Sequence, residues 1–188
     1  GTDRYPTALA LGDKHACALL DNATIKCWGA NYYDDTNTSG GIASGLLGIG
    51  ASELDTTNDK GDAPNEMGEN LLFTDLGVDR TAVQISSRGG LHTCAVLDDG
   101  STKCWGDNTW GQLGLSDTTD RGTDSSQMGD NLFPINVGTD LSISQLSSGL
   151  SFNCAVLNDD SIKCWGRGAQ GRLGNGDQND IGDEALEM

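Results

Sequence analysis

The sequence predicts an all-β protein built from propeller-type repeats, and three observations lead to this fold class. A Cys–turn–Cys-Trp-Gly segment occurs three times, with its two cysteines ten residues apart in every copy. The first cysteine of each copy recurs after 77 residues, from Cys17 to Cys94, and after 60, from Cys94 to Cys154. The 188 residues include 27 glycines, and long apolar stripes of helical period are absent. Repeats of this size are typical of a propeller or a solenoid, in which neighbouring repeats cover one another.

A short apolar segment precedes each pair of cysteines. Residues 9–12, 85–89 and 146–149 are equivalent, with one extra residue in the second copy. Each segment is short, carries apolar residues and ends at glycine, which is typical of a strand entering a turn. We predict that it forms the first strand of its repeat.

The segment between the paired cysteines predicts a β-hairpin. In the second copy an apolar run is followed by Asp-Asp-Gly, which is typical of turns. If Cys94 lies opposite Cys104, the loop has three residues and its last position needs a positive φ. Gly100 suits this position and Asp160 of the third copy tolerates it, whereas Ala23 of the first copy fits it badly.

The spacing of the cysteines predicts local disulfides. Residues that oppose each other on an antiparallel pair lie close enough for a disulfide. The alternatives are buried thiols or a zinc site, but zinc ligands within a pair are typically separated by two to four residues. All six cysteines fall into pairs, which favours an oxidising compartment. The predicted pairs are Cys17–Cys27, Cys94–Cys104 and Cys154–Cys164.

A Gly-x-Leu-Gly segment and an acidic segment follow each hairpin. In the first repeat the Gly-x-Leu-Gly segment is delayed by an insertion at residues 34–44, which we predict to be a loop. A Met-Gly-Glu/Asp-Asn-Leu segment and a closing strand are then expected. The third copy stops at Met188, before this point, so we expect a piece of a longer array. The predicted repeats cover approximately residues 1–77, 78–138 and 139–188, the last incomplete.

The net charge of −17 restricts the partners of the chain. Nucleic-acid binding depends on Lys and Arg at phosphates, and anionic membrane surfaces also attract basic residues. No apolar run approaches the roughly 18 residues of a membrane span. We expect neither nucleic-acid binding nor membrane insertion.

Two sequons agree with an extracellular or cell-surface location. They are Asn22-Ala23-Thr24 and Asn37-Thr38-Ser39. A sequon of this type accepts an N-linked glycan in a secreted protein. We therefore predict, for a eukaryotic source, N-glycans at Asn22, at the tip of the first hairpin, and at Asn37.

The order of the motifs resembles the regulator of chromosome condensation repeat family. The resemblance rests on Gly-x-x-His-x-Cys, a turn, and Cys-Trp-Gly-x-Asn-x-x-Gly-Gln-Leu-Gly, and it covers nearly the whole chain. It is closest to a cysteine-paired version found in large predicted surface proteins. The resemblance implies one four-stranded blade per repeat and usually seven blades, so three repeats would form a partial propeller or part of a larger array.

The family implies several functions, among them guanine-nucleotide exchange, chromatin binding, inhibition of secreted β-lactamases and scaffolding. Exchange and chromatin binding take place in the cytosol or nucleus. Paired cysteines and strong acidity argue against both. Fold alone does not determine which function applies.

The acidic segments are candidate calcium sites. Closely spaced Asp and Asn oxygens suit Ca²⁺, which takes six to eight oxygen ligands. The spacing does not match an EF-hand, and the alternative is a solvated loop. No other cofactor is expected. The candidate ligands are Asp55, Asp59, Asp117, Asp120, Asp177 and Asp180.

Aromatic and histidine side chains suggest further roles. Tyr32, Tyr33 and Trp110 follow the hairpins and are candidates for stacking on a protein or glycan ligand. His15 and His92 lie two residues before a cysteine, but Phe takes this position in the third copy, so we predict a structural role. The Trp of each Cys-Trp-Gly is expected in the blade core.

No catalytic set is indicated, and the sequence therefore predicts a protein that is not an enzyme. Two hypotheses about function follow. The first is an extracellular structural module of a large surface, matrix or filament protein, which assembles with copies of itself or with adjacent repeats. The second is a secreted propeller that recognises a protein or glycan through loops such as residues 34–44. Self-association would favour the first hypothesis.

Overall fold

The computed structural model describes residues 3–35, 41–50 and 58–188. Each repeat contributes one antiparallel three-stranded sheet in which consecutive strands are neighbours, and residues 32–35 and 41–44 form a separate two-stranded sheet. Among the described residues the helical segments are short 3₁₀ turns, at Gly68–Asn70, Ser125–Gln127, Gly129–Asn131 and Ala169–Gly171. The all-β prediction is confirmed. The strands are β1 Pro6–Leu11, β2 His15–Leu20, β3 Ile25–Gly29, β4 Tyr32–Asp35, β5 Gly41–Ser44, β6 Ala82–Ser86, β7 His92–Leu97, β8 Thr102–Gly106, β9 Ile143–Ser148, β10 Phe152–Leu157 and β11 Ile162–Gly166.

The hairpins have the predicted register. In β2–β3, β7–β8 and β10–β11 the two cysteines of each repeat lie directly opposite each other and form a disulfide. The third loop residue has a positive φ in all three, at 63° for Ala23, 84° for Gly100 and 67° for Asp160. Ala23 adopts this conformation although it has a Cβ, with its N–H donating to the Leu20 carbonyl at 2.9 Å.

Each blade has three regular strands rather than the four that the resemblance implied. The fourth, outer position is taken by extended segments at residues 71–76 and 132–137, where the sequence predicts closing strands. The backbone bonds of these segments to the hairpins include Thr74 N–H to the Ile25 carbonyl at 2.9 Å and Ile135 N–H to the Thr102 carbonyl at 2.8 Å. Pro134 has no N–H to donate, which limits the pairing in the second blade.

The first-repeat insertion was predicted as a loop, and this prediction is wrong at its ends. Residues 32–35 pair with residues 41–44 as strands β4 and β5, from Tyr32 opposite Ser44 to Asp35 opposite Gly41. Tyrosines favour extended backbone on a paired strand. The polar composition of the insertion concealed this signal.

The core lies between successive blades. Trp105 packs in one cluster with Cys17, Cys27 and Leu47 of the preceding repeat. Trp165 packs in a second cluster with the disulfide of repeat two. The disulfide of one repeat is therefore covered by the tryptophan of the next, and the blades hold each other in place.

Candidate functional site

The contact between consecutive blades is built from two faces of each hairpin. Side chains alternate across a strand, so residues 15, 17 and 19 of β2 point to one side and residues 16, 18 and 20 to the other. We call the side with the paired cysteines the forward face, because the next repeat covers it. The opposite side, which carries the Trp of Cys-Trp-Gly, is the rear face.

Buried polar pairs join the forward face of one repeat to the rear face of the next. His15 Nε2 lies 2.7 Å from Thr93 Oγ1, and His92 Nε2 lies 3.0 Å from Asn153 Oδ1. Asn153 Nδ2 donates to the Gln112 carbonyl at 2.8 Å, so its Oδ1 is left to accept from the His92 N–H. All four paired side chains are buried. The histidines have the structural role predicted for them, and their partners are one repeat further along.

Burial shifts the pKa values of the groups at these contacts. It lowers the pKa of His15 from 6.5 to about 4, an effect that His92 increases and Asp13 opposes. Burial also lowers the pKa of His92, although the hydrogen bond to Asn153 acts to raise it. Burial raises the pKa of Asp120 from 3.8 to about 6, although its carboxylate accepts hydrogen bonds from Ser44 and Asn108.

Acidification is expected to weaken the contacts between blades. Because the pKa of His15 is lower in the folded state, the unfolded chain binds more protons between pH 6.5 and 4, and stability is lost as the pH falls. The His15 contribution alone amounts to roughly 2–3 kcal/mol at pH 4.5. The raised pKa of Asp120 acts in the opposite sense, since the folded state binds the extra proton between pH 6 and 4.

Urea unfolding of the wild type at pH 7 and at pH 4.5 measures the net effect of these titrating groups on the free energy of unfolding. The wild type should be less stable at pH 4.5, because the lowered pKa values of the buried His15 and His92 act together, against the raised pKa values of Asp120 and Asp183. His15→Gln keeps a hydrogen-bonding group toward Thr93 and should reduce the loss, and Asp120→Asn should increase it. An unchanged pH dependence in His15→Gln would contradict the assignment.

The last glycine of the Gly-x-Leu-Gly segment leaves space for the tryptophan of the next repeat. We call this space, at Gly48 and Gly114, the glycine socket. A Cβ at Gly48 would lie 2.8 Å from Trp105 Nε1, and one at Gly114 would lie 3.1 Å from Trp165 Nε1. Both glycines have positive φ, and both end a Gly-x-Leu-Gly segment. Trp165 Nε1 also donates to the Gln112 carbonyl at 3.0 Å. The Gly-x-Leu-Gly segment therefore shapes the surface on which the next repeat rests.

In repeats one and two, the first glycine of the Gly-x-Leu-Gly segment contacts backbone of the next repeat. A Cβ at Gly45 would lie 2.5 Å from the Arg121 carbonyl oxygen, and one at Gly111 would overlap the backbone nitrogen of Asp183. In return, a Cβ at Gly122 or Gly182 would meet the carbonyl oxygen of Gly45 or Gly111. Two glycine turns, one from each repeat, thus meet without intervening side chains.

The acidic residues bind backbone of their own repeats, and Asp120 also binds the preceding repeat. Asp59 accepts a hydrogen bond from Asn31 N at 2.8 Å, and Asp180 accepts one from Gly168 N at 2.7 Å. Asp120 accepts from Asn108 N at 2.8 Å and from Ser44 of repeat one at 3.0 Å. These carboxylates fix the loops that follow the hairpins.

The other calcium candidates have similar local partners. Asp117 accepts from Asn108 Nδ2 and Arg121 Nη2, Asp177 accepts from Asn179 N, and Asp55 lies outside the described residues. Within the described ranges, no three His, Cys, Asp or Glu side chains form a group that could hold a metal ion. Calcium binding stays a prediction, and the geometry gives the carboxylates a structural role.

Two of the candidate stacking residues each have a cationic side chain over the aromatic ring. The Arg167 guanidinium lies 4.3 Å from the Trp110 ring centroid, and Lys14 Nζ lies 4.9 Å from that of Tyr33. These rings are partly exposed, and all the candidates lie at or after the ends of the hairpins. Ligand stacking on them and on Tyr32 stays a prediction.

The sequon asparagines stay predicted glycan sites. Asn22 lies at the tip of the first hairpin, where its Oδ1 accepts from Thr24 Oγ1 at 2.8 Å. Asn37 lies outside the described residues. Among the residues that the structure describes, no helix has the length and apolar character to cross a membrane.

Sequence reasoning missed the lysine of each Lys-Cys-Trp-Gly. Lys26 Nζ donates to the Gly68 carbonyl at 2.6 Å, and Lys103 Nζ donates to the Leu76 and Gly129 carbonyls at 2.9 and 2.8 Å. Lys163 Nζ donates to the Val137 carbonyl at 3.2 Å. The lysines attach the outer segments to the hairpins, and their identity in all three repeats was an available signal.

Among the described repeats, the forward face of repeat three is not covered by a following repeat. In repeat two the five side chains of this face are buried. The five equivalent side chains of repeat three are exposed or half-buried, and they are Phe152, Cys154, Val156, Ile162 and Cys164. Ile162 is 72% exposed, whereas its counterpart Thr102 is 3% exposed. A Cβ at Gly171 or Gly174 would meet no described atom within 4 Å. A cavity of about 640 Å³ opens here, lined by Gln170, Gly171, Gly174, Gly176, Asp177 and Gln178.

Comparison with known proteins supports this repeat organisation. The family model of the Regulator of chromosome condensation (RCC1) repeat matches residues 7–34, 82–112 and 143–172. The X-linked retinitis pigmentosa GTPase regulator of Mus musculus is 27% identical over 178 residues, which are 94% of this chain and 14% of that protein. The Ultraviolet-B receptor UVR8 of Arabidopsis thaliana is 26% identical over 174 residues, which are 92% of this chain and 32% of the receptor. The chain thus spans about a third or less of the length of these two relatives.

Solved structures share the fold at low sequence identity. Prp20p from Saccharomyces cerevisiae has a TM-score of 0.64 at 18% identity, over 96% of this chain and 35% of that one. Human WBSCR16 has a TM-score of 0.65 at 16% identity, over 97% and 40% of the two chains. Three matched repeats, the shared fold and the glycine and tryptophan contacts between blades lead to one conclusion: the chain belongs to the RCC1 repeat family, as a partial β-propeller of three blades.

Proposed function

We propose that the chain is a non-enzymatic, extracellular structural module that assembles through the forward face of repeat three. The observation that carries the proposal is the packing inside the chain, where the forward faces of repeats one and two are covered by the rear face of the next repeat. An apolar sheet face that is otherwise buried in the same protein favours contact with another protein surface.

The disulfides support an extracellular location. All six cysteines are paired, and each pair joins neighbouring strands within one blade. Such bonds persist in oxidising compartments and are rare in the cytosol. A surface, matrix or filament protein would benefit from blades that are individually reinforced.

The partners that are named for relatives and structural neighbours are not assigned to this chain. Prp20p binds Gsp1p and histones, and these partners are properties of that protein. The chain has 28 acidic and 11 basic residues, a balance that disfavours association with nucleic acid. We propose protein contact without guanine-nucleotide exchange or chromatin binding.

A matched pair of substitutions tests assembly. Ile162 lies on the forward face of repeat three, and Val78 lies away from that face, in the connection to β6; both are 72% exposed. Sedimentation velocity over a concentration series should show self-association of the wild type. Ile162→Arg should abolish it and Val78→Arg should preserve it. A wild type that is monomeric throughout would overturn the proposal.

A second candidate function is recognition of a protein ligand at the outer edge of the blades. Phe133 is 74% exposed and lines a cavity with Leu115, Arg121 and Met188. Exposed aromatic side chains beside a charged group are typical of protein-binding surfaces. A monomeric wild type would place this candidate first.

A further inference from the structure

We propose that a cavity between repeats two and three binds a primary ammonium group carried on a short apolar chain, such as a lysine side chain or a free diamine. The inference goes beyond assembly, because the walls of this cavity belong to two consecutive repeats and do not include the forward face of repeat three. It is carried by a buried hydroxyl without a partner and by a difference between the two contacts that join the blades.

The cavity has a volume of about 250 Å³ and lies beside the turn between β7 and β8. Repeat two contributes residues 99–102 of the hairpin and the apolar residues Ile135 and Val137 of its outer segment. Repeat three contributes residues 141–143, at the start of β9. Two consecutive blades of the same chain thus shape the cavity.

Thr102 supplies a buried hydroxyl at this cavity. The residue is 3% exposed, and its Oγ1 has no hydrogen-bond partner in the part of the chain that the structure describes. The equivalent residue is Ile25 in repeat one and Ile162 in repeat three, so the hydroxyl is specific to this contact. A buried hydroxyl is costly unless a partner satisfies it, which favours a polar ligand atom at this point.

Within the described chain, a backbone bond of the first blade contact has no counterpart in the second. In the first contact the N–H of Ala82, at the start of β6, donates to the Ala23 carbonyl of the preceding hairpin turn at 2.9 Å. The equivalent groups of the second contact are the Ile143 N–H and the Gly100 carbonyl, and among the described residues these two do not bond to each other. Both residues line the cavity. The Gly100 carbonyl is therefore available to accept a hydrogen bond from a ligand.

The polar groups of the cavity favour a cation with several donors. A primary ammonium has three N–H groups, and Thr102 Oγ1, the Gly100 carbonyl and the Asp99 carboxylate offer three acceptors. Arg80 Nη1 lies 3.0 Å from the carboxylate of Asp99 and 3.4 Å from that of Asp98, so the two carboxylates and the guanidinium together keep one negative charge. This charge attracts a cation and repels an anion.

The chain itself binds ammonium groups in a similar way. Lys103 Nζ donates to the carbonyls of Leu76 and Gly129 at 2.9 and 2.8 Å. In the cavity, Ile135 and Val137 would cover the methylene groups of a ligand, as apolar surface does for the stem of a lysine. A lysine side chain of a partner protein and a free diamine share this chemistry.

Titrations followed by NMR test the site on the 188-residue chain. Cadaverine and the capped tripeptide acetyl-Gly-Lys-Gly-amide should each shift the amide resonances of Gly100 and Ile143 until the site is saturated, whereas n-butanol, which has an apolar chain but no charge, should not. Thr102→Val keeps the shape of the side chain and should weaken binding about tenfold, as expected for the loss of a hydrogen bond to a charged group. Without ligand, the same variant should resist urea at least as well as the wild type, because it removes an unpaired hydroxyl.

Asp99→Asn and Asp159→Asn form a matched pair. Each aspartate accepts a hydrogen bond from the serine hydroxyl two residues later at 2.6 Å, but Asp99 lines this cavity and Asp159 does not. Asp99→Asn should weaken the binding of both probes about tenfold, and Asp159→Asn should leave it nearly unchanged.

The outcomes decide both the site and its ligand. Binding of cadaverine alone would restrict the ligand to free amines, and binding of the tripeptide would identify a lysine side chain of a partner protein. Saturation by neither probe, or equal effects of the two aspartate variants, would overturn the site, and equal binding of n-butanol would overturn the ammonium class. A loss of stability in Thr102→Val would mean that the protein itself satisfies the hydroxyl, and would overturn the inference too. None of these results depends on self-association of the chain.

Discussion

Reduction of the three disulfides should lower the free energy of unfolding by roughly 6–9 kcal/mol, at about 2–3 kcal/mol for each closed loop. Each bond joins cysteines ten residues apart in one hairpin. The loss is comparable with the whole stability of a typical domain, so the reduced chain should be largely unfolded. Guanidinium titrations with and without a reductant measure the difference.

Two disulfides of equal loop length provide an internal control. The loop-entropy contribution should be the same for Cys94–Cys104 and Cys154–Cys164, but the first pair is buried under Trp165 and the second is half-exposed. Replacing both cysteines by Ala should therefore cost more stability in repeat two than in repeat three. Equal costs would mean that packing between blades contributes nothing at this position.

Trp105→Ala should lower the free energy of unfolding by about 3–5 kcal/mol. The side chain is fully buried and fills the space between the disulfide of repeat one and the Gly48 socket. Its removal leaves a cavity that the rigid hairpins on both sides cannot close. Urea denaturation followed by circular dichroism measures the change.

The matched control is Trp28→Ala. Trp28 occupies the same position in repeat one, the first repeat of this chain, and its ring is partly exposed. The loss of stability should be clearly smaller in the monomeric chain than for Trp105→Ala. If both variants lost the same stability, the contribution of the tryptophan would come from its own blade rather than from the contact with its neighbour.

The hairpins could be predicted from the sequence because their determinants are local. Ten-residue spacing, an Asp-rich turn and one position of positive φ determine the register, and Cys94 lies opposite Cys104 as expected. Sequence also indicated the burial of the tryptophans, since a large aromatic residue before glycine recurs in each repeat. Trp28 is the exception, because its burial depends on a neighbour rather than on its own sequence.

The contacts between blades could not be predicted in the same way. His15 and Thr93 are 78 residues apart, and nothing in the local sequence of either indicates the other. The acidic residues were interpreted as candidate cation ligands because composition shows charge but not which backbone N–H groups a carboxylate will face. The pairing of β4 with β5 was missed for a related reason, since it depends on the two ends of a polar insertion meeting each other.

The pairing of histidine with threonine or asparagine also limits how such an array can grow by gene duplication. A tandem copy of repeat two would set His92 against Thr93, which reproduces the pair already formed by His15 and Thr93. A tandem copy of repeat three would set Phe152 against Asn153 and leave the amide without its histidine partner. Duplications of the second repeat would therefore be tolerated more readily than those of the third, and the order of repeats along the gene would be under selection even where the blades themselves are interchangeable in fold.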